Sequence, residues 1–302
     1  MNLVKIISAF VVSFLLTACD SPQWQSNETL EKRPVHTAFV VDTDPSTEKD
    51  PDDRIVAFIL QKIGAMPELV ITTKGNVSAE KAYANAQALW GSRLVVRGQS
   101  ACDSQMMQRL THQLEQQPLT ILALGPVTNT ATLLRCRPDL RSRITQVIVV
   151  AGRESNEAFW LNERWKVGRP MRDLNYETNR LAMRQLLSSG VSVRLVPFAA
   201  GNAVRIHPGE VRNLPLAELE RVRHWASTLV PIGGRGTIPA FDPVAAAFML
   251  WPTEFDCQAI KAQAETDLVV TKTTRSNIRW CVPENPKRVH SLILSSLHRG
   301  NI

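Results

Sequence analysis

The chain has 302 residues, of which 44% are hydrophobic and 21% charged, and its formal net charge is +7. That length and apolar content supply a substantial buried core, which excludes a disordered or low-complexity chain. The basic residues are scattered and form no basic aromatic stripe, so the charge does not point to nucleic acid.

The first 18 residues carry one basic residue, Lys5, then an apolar run through Leu16 and small residues up to Ala18. A charged start, a short apolar stretch and a small-residue cut site describe a secretory signal, and the stretch is short for a span of about 20 residues. Leu16-Thr17-Ala18-Cys19 resembles a bacterial lipobox, which implies cleavage before Cys19 and acylation of that residue. Asp20 follows where such proteins are held at the inner membrane. The expectation is a lipid-anchored protein of the bacterial cell envelope, on the periplasmic face. Residues 19–35 are polar and without periodicity, as in a flexible tether. Residues 36–302 show no second composition shift and are expected to form one α/β domain.

The acidic stretch from Phe39 to Leu60 comes first in that domain. Phe39-Val40-Val41 has strand character and delivers Asp42 and Asp44 into a polar loop. Asp52 and Asp53 then open an amphipathic helix carrying Ile55, Val56, Phe58 and Ile59. Carboxylates gathered at a strand's C-terminal end lie where open α/β sheets bind ligands, and a hard divalent cation would relieve their repulsion. Asp52 or Asp53 would also serve as an ordinary helix cap.

Strand-like and helix-like segments alternate beyond it. Strands are expected at Leu69 to Thr73, Leu94 to Val96, Leu119 to Leu124, Thr145 to Ala151 and Val191 to Pro197. Helices are expected at Ala79 to Trp90, near Ser104 to Gln116, from the Gly125-Pro126-Val127-Thr128-Asn129 turn to Leu134, at Arg180 to Ser188 and at Leu219 to Leu229. This alternation predicts a mostly parallel central sheet with helices on both faces. Ala259 to Thr271 is strand-like, and a last helix runs from about Asn285 to His298. Cys102, Cys136, Cys257 and Cys281 are either unpaired buried thiols or, as expected of an exported chain, two local disulfides, Cys102–Cys136 and Cys257–Cys281.

Several strand ends carry polar residues. Asn76, Thr128, Asn129 and Asp242 each have an ordinary role as a turn or cap, and it is their joint occurrence that suggests a site. Together they resemble the inosine-uridine-preferring nucleoside hydrolase family from about Thr37 to Pro252. Its acidic opening D-x-D-P-G-x-D-D is matched by Asp42, Asp44, Pro45, Asp52 and Asp53, with Ser46 to Pro51 holding a four-residue insertion and no glycine. Gly75-Asn76, Gly125-Pro126-Val127-Thr128-Asn129, Val149-Val150-Ala151-Gly152, Asp173-Leu174-Asn175 and Asp242-Pro243-Val244-Ala245 match its later motifs in order.

The resemblance implies a Rossmann-like fold, a ribonucleoside substrate, and Ca2+ held by Asp44, Asp53, the Thr128 carbonyl and Asp242. Asp44 is then the general base for water at the metal, which attacks the anomeric carbon and frees the base. Asp52, Asn76, Asp173, Asn175 and Asp242 are the implied ribose contacts. Asp50, inside the insertion, is a competing ligand. Phe241 stands where many members place a histidine; it stacks but cannot donate a proton, and His224 and Trp225 are the candidate substitutes. Trp160 and Trp165 either cover the base or anchor their loop. A second reading is a non-catalytic ribosyl- or partner-binding lipoprotein on the same fold. Either is compatible with a homo-oligomer.

Overall fold

A computed structural model describes residues 34, 37–154, 157–162 and 164–299. The expected signal and Cys19 lie outside the described residues.

The acidic stretch folds as strand β1 (Phe39–Thr43), a loop, and helix α1 (Asp52–Lys62). There follow β2 (Leu69–Thr72), α2 (Ala79–Trp90), β3 (Val95–Arg97), α3 (Gln105–Gln116), β4 (Leu119–Ala123), α4 (Thr128–Cys136), β5 (Ile144–Val150) and the short β6 (Arg153–Glu154). The second half adds α5 (Leu174–Thr178), α6 (Arg180–Ser188), β7 (Val193–Val196), α7 (Phe198–Ala203), β8 (Arg205–Ile206), α8 (Leu216–Leu229), β9 (Ile238–Pro239) and α9 (Phe241–Leu250). A hairpin of β10 (Phe255–Ala264) and β11 (Leu268–Lys272), then β12 (Ile278–Pro283) and α10 (Pro286–His298), complete the described chain. Local signals set several of these boundaries: the side chains of Ser78 and Ser104 cap α2 and α3, and that of Asn285 caps α10 with Pro286 at its first position.

The main sheet has ten strands in the order β3-β2-β1-β4-β5-β7-β12-β10-β11-β6. From β3 to β12 every pairing is parallel; beyond it β10 runs antiparallel to both β12 and β11, and β11 pairs parallel with β6 at the edge. Side chains alternate across the sheet: Val40, Leu69 and Ile121 pack on α3, α4 and α6, while Val41, Val70 and Leu122 pack on α1, α9 and α10. Both faces are therefore covered, as the sequence pattern predicts. The last strand was not foreseen: Ile278 to Pro283 bridges the parallel half, at β7, to the antiparallel hairpin, at β10.

The chain leaves β1 on one side for β2 and β3 and crosses back to β4 on the other, so the order reverses between β1 and β4. Such a switch point opens a crevice at the strands' carboxyl ends. Asp42 to Asp44 and Leu124 to Gly125 stand there. Disulfides join Cys102 to Cys136 and Cys257 to Cys281, the latter pair facing each other across β10 and β12.

Candidate active site

The crevice opens into a cavity of about 670 Å³. Asp50, Asp52, Asn76, Leu124, Asn175 and Asp242 line its polar end, and Phe159, Met171, Phe198, Trp225, Ile232 and Phe241 its apolar end.

The polar floor is built from the ends of β1, α1 and α9. Asp42, Asp44, Asp50, Asp52, Asp53 and Asp242 are all buried. The inserted loop is pinned at three points: Ser46 Oγ accepts from the N–H groups of Glu48 (3.1 Å) and Lys49 (2.8 Å), Asn85 Nδ2 donates to the Pro45 carbonyl (2.8 Å), and Arg221 donates to that of Thr47 (3.1 Å). It still returns Asp53 to the strand end, where Oδ1 accepts from Thr43 Oγ1 and, at 3.1 Å, from the Asp44 N–H. Closure entropy grows slowly with loop length, so four extra residues are tolerated. The insertion also sets Asp50 against Asp52, their carboxyls hydrogen-bonded to each other. Asp52 spans the site, accepting from the N–H of Asp53 at 3.1 Å and of Asp242 at 3.3 Å.

Asp44 is the most enclosed of the set. Oδ2 accepts the Asn76 N–H, while Oδ1 is buried with no partner. Gly75 and Gly125 press against it: a Cβ at Gly75 would lie 2.1 Å from Oδ2, and one at Gly125 2.6 Å from Oδ1. Glycine is required at both for close approach, not for a turn.

Burial raises every one of these carboxyls. Asp42 is pushed up to about 7 by burial, against the Asn129 hydrogen bond that lowers it. Asp53 rises to about 7 through burial and then the charge of Asp52. Asp44 and Asp242 stand well above the usual range, through burial first and then through Asp53 and Asp52 respectively. Such a set cannot all ionise without a counter-charge. Ligand oxygens of Asp52, Asp53 and Asp242 lie within 4.8 Å of one another, and Asp42 Oδ2, Asp44 Oδ1, Asp50 Oδ1 and Asp53 Oδ2 are buried without partners. Orphaned, convergent, all-oxygen donors fit a hard divalent cation.

Thr128, of the expected ligand set, is not among the residues that line the cavity. This residue opens α4; its carbonyl accepts from Thr132 Oγ1 at 2.9 Å and its hydroxyl from Asn179 Nδ2 at 3.0 Å. From this turn it is Leu124, just past the end of β4, that lines the cavity, and its carbonyl accepts from Asn175 Nδ2 at 2.8 Å. Asp44 lies beside the triad Asp52, Asp53 and Asp242 rather than within it.

The implied ribose contacts divide in two. Asp52, Asn76, Asn175 and Asp242 share the polar end. Asn175 also clamps the sheet, donating to Leu124 and, at 3.0 Å, to the Val150 carbonyl, which leaves Oδ1 to accept from a ligand. Asp173 lines the cavity too, but both its oxygens are engaged, by the N–H groups of Gly152 (2.8 Å) and Tyr176 (3.2 Å), and burial raises it to about 6. It serves as the cap of α5.

At the apolar end, Phe159 stacks on Phe198 with centroids 4.4 Å apart, and Phe198 meets Phe241 at 5.0 Å. Trp225 lines the same wall and its buried Nε1–H has no partner, whereas His224 is exposed and does not line the cavity. Neither Trp160 nor Trp165 lines it, and Trp165 is 65% exposed. Sequence reasoning missed Phe159, Phe198 and Leu124. Leu124 and Phe198 directly follow β4 and Pro197 after β7, and that strand-end position is the one signal that could have found them.

Residues 93–291 match the model of the inosine-uridine preferring nucleoside hydrolase family, which is about two thirds of the chain. The chain belongs to this family. Its acidic loop and insertion precede the matched span. Among curated nucleoside hydrolases, the non-specific ribonucleoside hydrolase RihC of Salmonella paratyphi A is 22% identical over 268 residues, covering 76% of this chain and 84% of that protein. The pyrimidine-specific ribonucleoside hydrolase RihA of Klebsiella pneumoniae is 26% identical over 107 residues, 35% of this chain and 31% of that one. Among solved nucleoside hydrolase structures, a plant enzyme, PpNRh1, superposes with a TM-score of 0.72 at 17% identity, covering 88% of this chain and all of that one. A purine-preferring ribonucleoside hydrolase from Gardnerella vaginalis gives 0.73 at 14% identity, covering 86% and 98%. The shared feature is the fold.

Proposed function

We propose that the protein hydrolyses the N-glycosidic bond of ribonucleosides, releasing ribose and the free base, with Ca2+ as its metal and Asp44 as general base. The observation that carries this reading is the meeting, in one cavity, of an orphaned all-carboxylate floor with an aromatic wall.

Asp52, Asp53 and Asp242 would hold the cation, with Leu124 in place of Thr128 as the backbone donor. When bound, calcium supplies positive charge that acidifies coordinated water and orients ribose hydroxyls. Asp44 has one oxygen fixed by Asn76 and the other, Oδ1, without a partner, so that acceptor is unspent. It takes the proton of the attacking water. Asn76, Asn175 and Asp52 offer polar groups to the ribose, and a sugar lacking a hydroxyl would leave them unpaired. The fixed carboxylates also favour the oxocarbenium-like charge that develops as the bond to the base breaks. The base lies against Phe198 and Phe241, and the Trp225 indole N–H is the donor available to its heteroatoms.

The signal-like start, Cys19 and the disulfides of Cys102–Cys136 and Cys257–Cys281 support a place in the oxidising cell envelope, tethered to the membrane. Turnover of a ribonucleoside in H2(18)O tests the reaction itself. Water attack puts the label on ribose C1, with base and ribose released one to one; unlabelled ribose, or none, would overturn hydrolysis.

A further inference from the structure

We propose that the buried Arg54–Glu218 pair, extended by Arg221 to the inserted loop, is a positioning device: it fixes how far the Trp225 indole, at the apolar end of the cavity, stands from the α1 carboxylates at the polar end. The inference deepens the hydrolase reading and rests on its placement of the base against Trp225.

Arg54 directly follows Asp52 and Asp53 in α1. Its guanidinium grips the Glu218 carboxylate at two points, Nε donating to Oε2 at 2.7 Å and Nη2 to Oε1. The two side chains are only 7% and 9% exposed. A planar fork on a carboxylate fixes direction as well as distance. Glu218 lies in the first turn of α8, and Trp225 follows two turns later on the same face, about 10 Å along the axis. Arg221 stands between them, its Nε 3.5 Å from Glu218 Oε2, and its Nη1 donates to the Thr47 carbonyl of the inserted loop at 3.1 Å. One carboxylate thus joins α1, α8 and the insertion.

Packing alone does not supply this. Leu219, Val222, Ala226 and Leu229 bury α8, but apolar contacts are non-directional, whereas the pair fixes one point of the helix along its axis. Nor is the pair the most stable filling of the space, since Arg54 Nη1 remains buried without a partner. An apolar pair of similar volume often holds helices as well, and the best-attested use of a buried ion pair is to set register. What this register serves is the cavity wall: Trp225, Thr228 and Leu229 of α8 line the same cavity as Asp52, and the Trp225 N–H is buried with no partner. A donor kept for a ligand needs its distance to the ribose site fixed, because a misplacement of about 1 Å can cost about 10²-fold in rate.

The test is calorimetric titration of the calcium-loaded protein with formycin B and pseudouridine, C-nucleosides whose base is joined to ribose by a carbon–carbon bond and is bound without release, and of the metal-free protein with calcium. E218Q keeps the shape of the side chain but not its charge, W225F keeps a ring but not the N–H, and R221M leaves the Arg54–Glu218 pair intact and carries the same test should E218Q not fold. E218Q and R221M are expected to weaken the C-nucleosides about fivefold or more while calcium affinity stays within about twofold of the parent, and W225F/E218Q to bind within about twofold of W225F, since both changes act through one contact. Calcium affinity falling in step with nucleoside affinity, additive losses in the double variant, unaltered C-nucleoside binding in the folded variants, or none in the parent would overturn it. Because C-nucleosides are not cleaved, a protein that shows these shifts yet frees no base from ribonucleosides would fail as a hydrolase and keep this inference.

Discussion

The backbone N–H of Asp44 donates to Oδ1 of Asp53 at 3.1 Å, nine positions along the chain, and so ties the end of β1 to the first turn of α1 across the inserted loop. The loop can lengthen because this bond, and that from Thr43 Oγ1, fix where it must return. Asp53→Asn removes charge from the cation site while keeping an acceptor for both donors. Calcium should then no longer raise the unfolding midpoint, and turnover should fall by about 10²-fold or more as the reacting groups lose register. Thermal unfolding with and without chelator, beside initial rates, checks both.

The carboxyl cluster makes stability depend on pH with a definite sign. Asp42 and Asp53 bind protons more tightly in the folded state, up to about 7, than in the unfolded chain at about 3.9. The folded state therefore holds more protons in that window, and their contribution is complete below about 4 and lost as pH rises through about 7. Denaturant unfolding of chelated protein should show stability falling across this range. Calcium should stabilise more at pH 7.5 than at pH 5, since it replaces the protons.

Gly125→Ala tests the packing around Asp44, the proposed general base. The new Cβ would stand 2.6 Å from Asp44 Oδ1 and 2.8 Å from Thr73 Cγ2. Both neighbours are buried, so overpacking should cost about 1–3 kcal/mol of stability. The displaced carboxylate should lower kcat by about 10²-fold with KM little changed, as steady-state kinetics would show.

Phe241→Leu probes the aromatic wall. Leucine keeps most of the apolar bulk but loses the ring that meets Phe198 at 5.0 Å. An aromatic contact is worth about 0.5–1.5 kcal/mol, so KM for aromatic-base nucleosides should rise by about 2–10-fold with a smaller change in kcat. Unchanged KM would place the base elsewhere.

Motifs at strand ends were legible because a short apolar run followed by Asp42-Thr43-Asp44, or by Gly125-Pro126, marks both the strand and the loop that leaves it. Which residue of the Leu124 to Thr128 turn lines the cavity was not legible. It depends on where β4 stops and α4 starts, and Leu124 and Thr128 lie on either side of that change. Phe159 sits in a segment without periodicity, and only the folded chain brings it onto Phe198. β12 was hidden for another reason: Arg279 is exposed and Trp280 and Cys281 are buried in succession, so the strict alternation of a strand is broken. His224 and Trp225 are neighbours on α8, and helical geometry alone decides that the indole lines the cavity and the imidazole faces solvent.

The most direct measurement is release of free base from a panel of ribonucleosides by the purified protein, with calcium, with chelator, and in Asp44→Asn with calcium binding measured in parallel. Turnover that needs calcium and is lost in a variant still able to bind the ion is the expected result. A folded, calcium-loaded protein that frees no base from any ribonucleoside would contradict it.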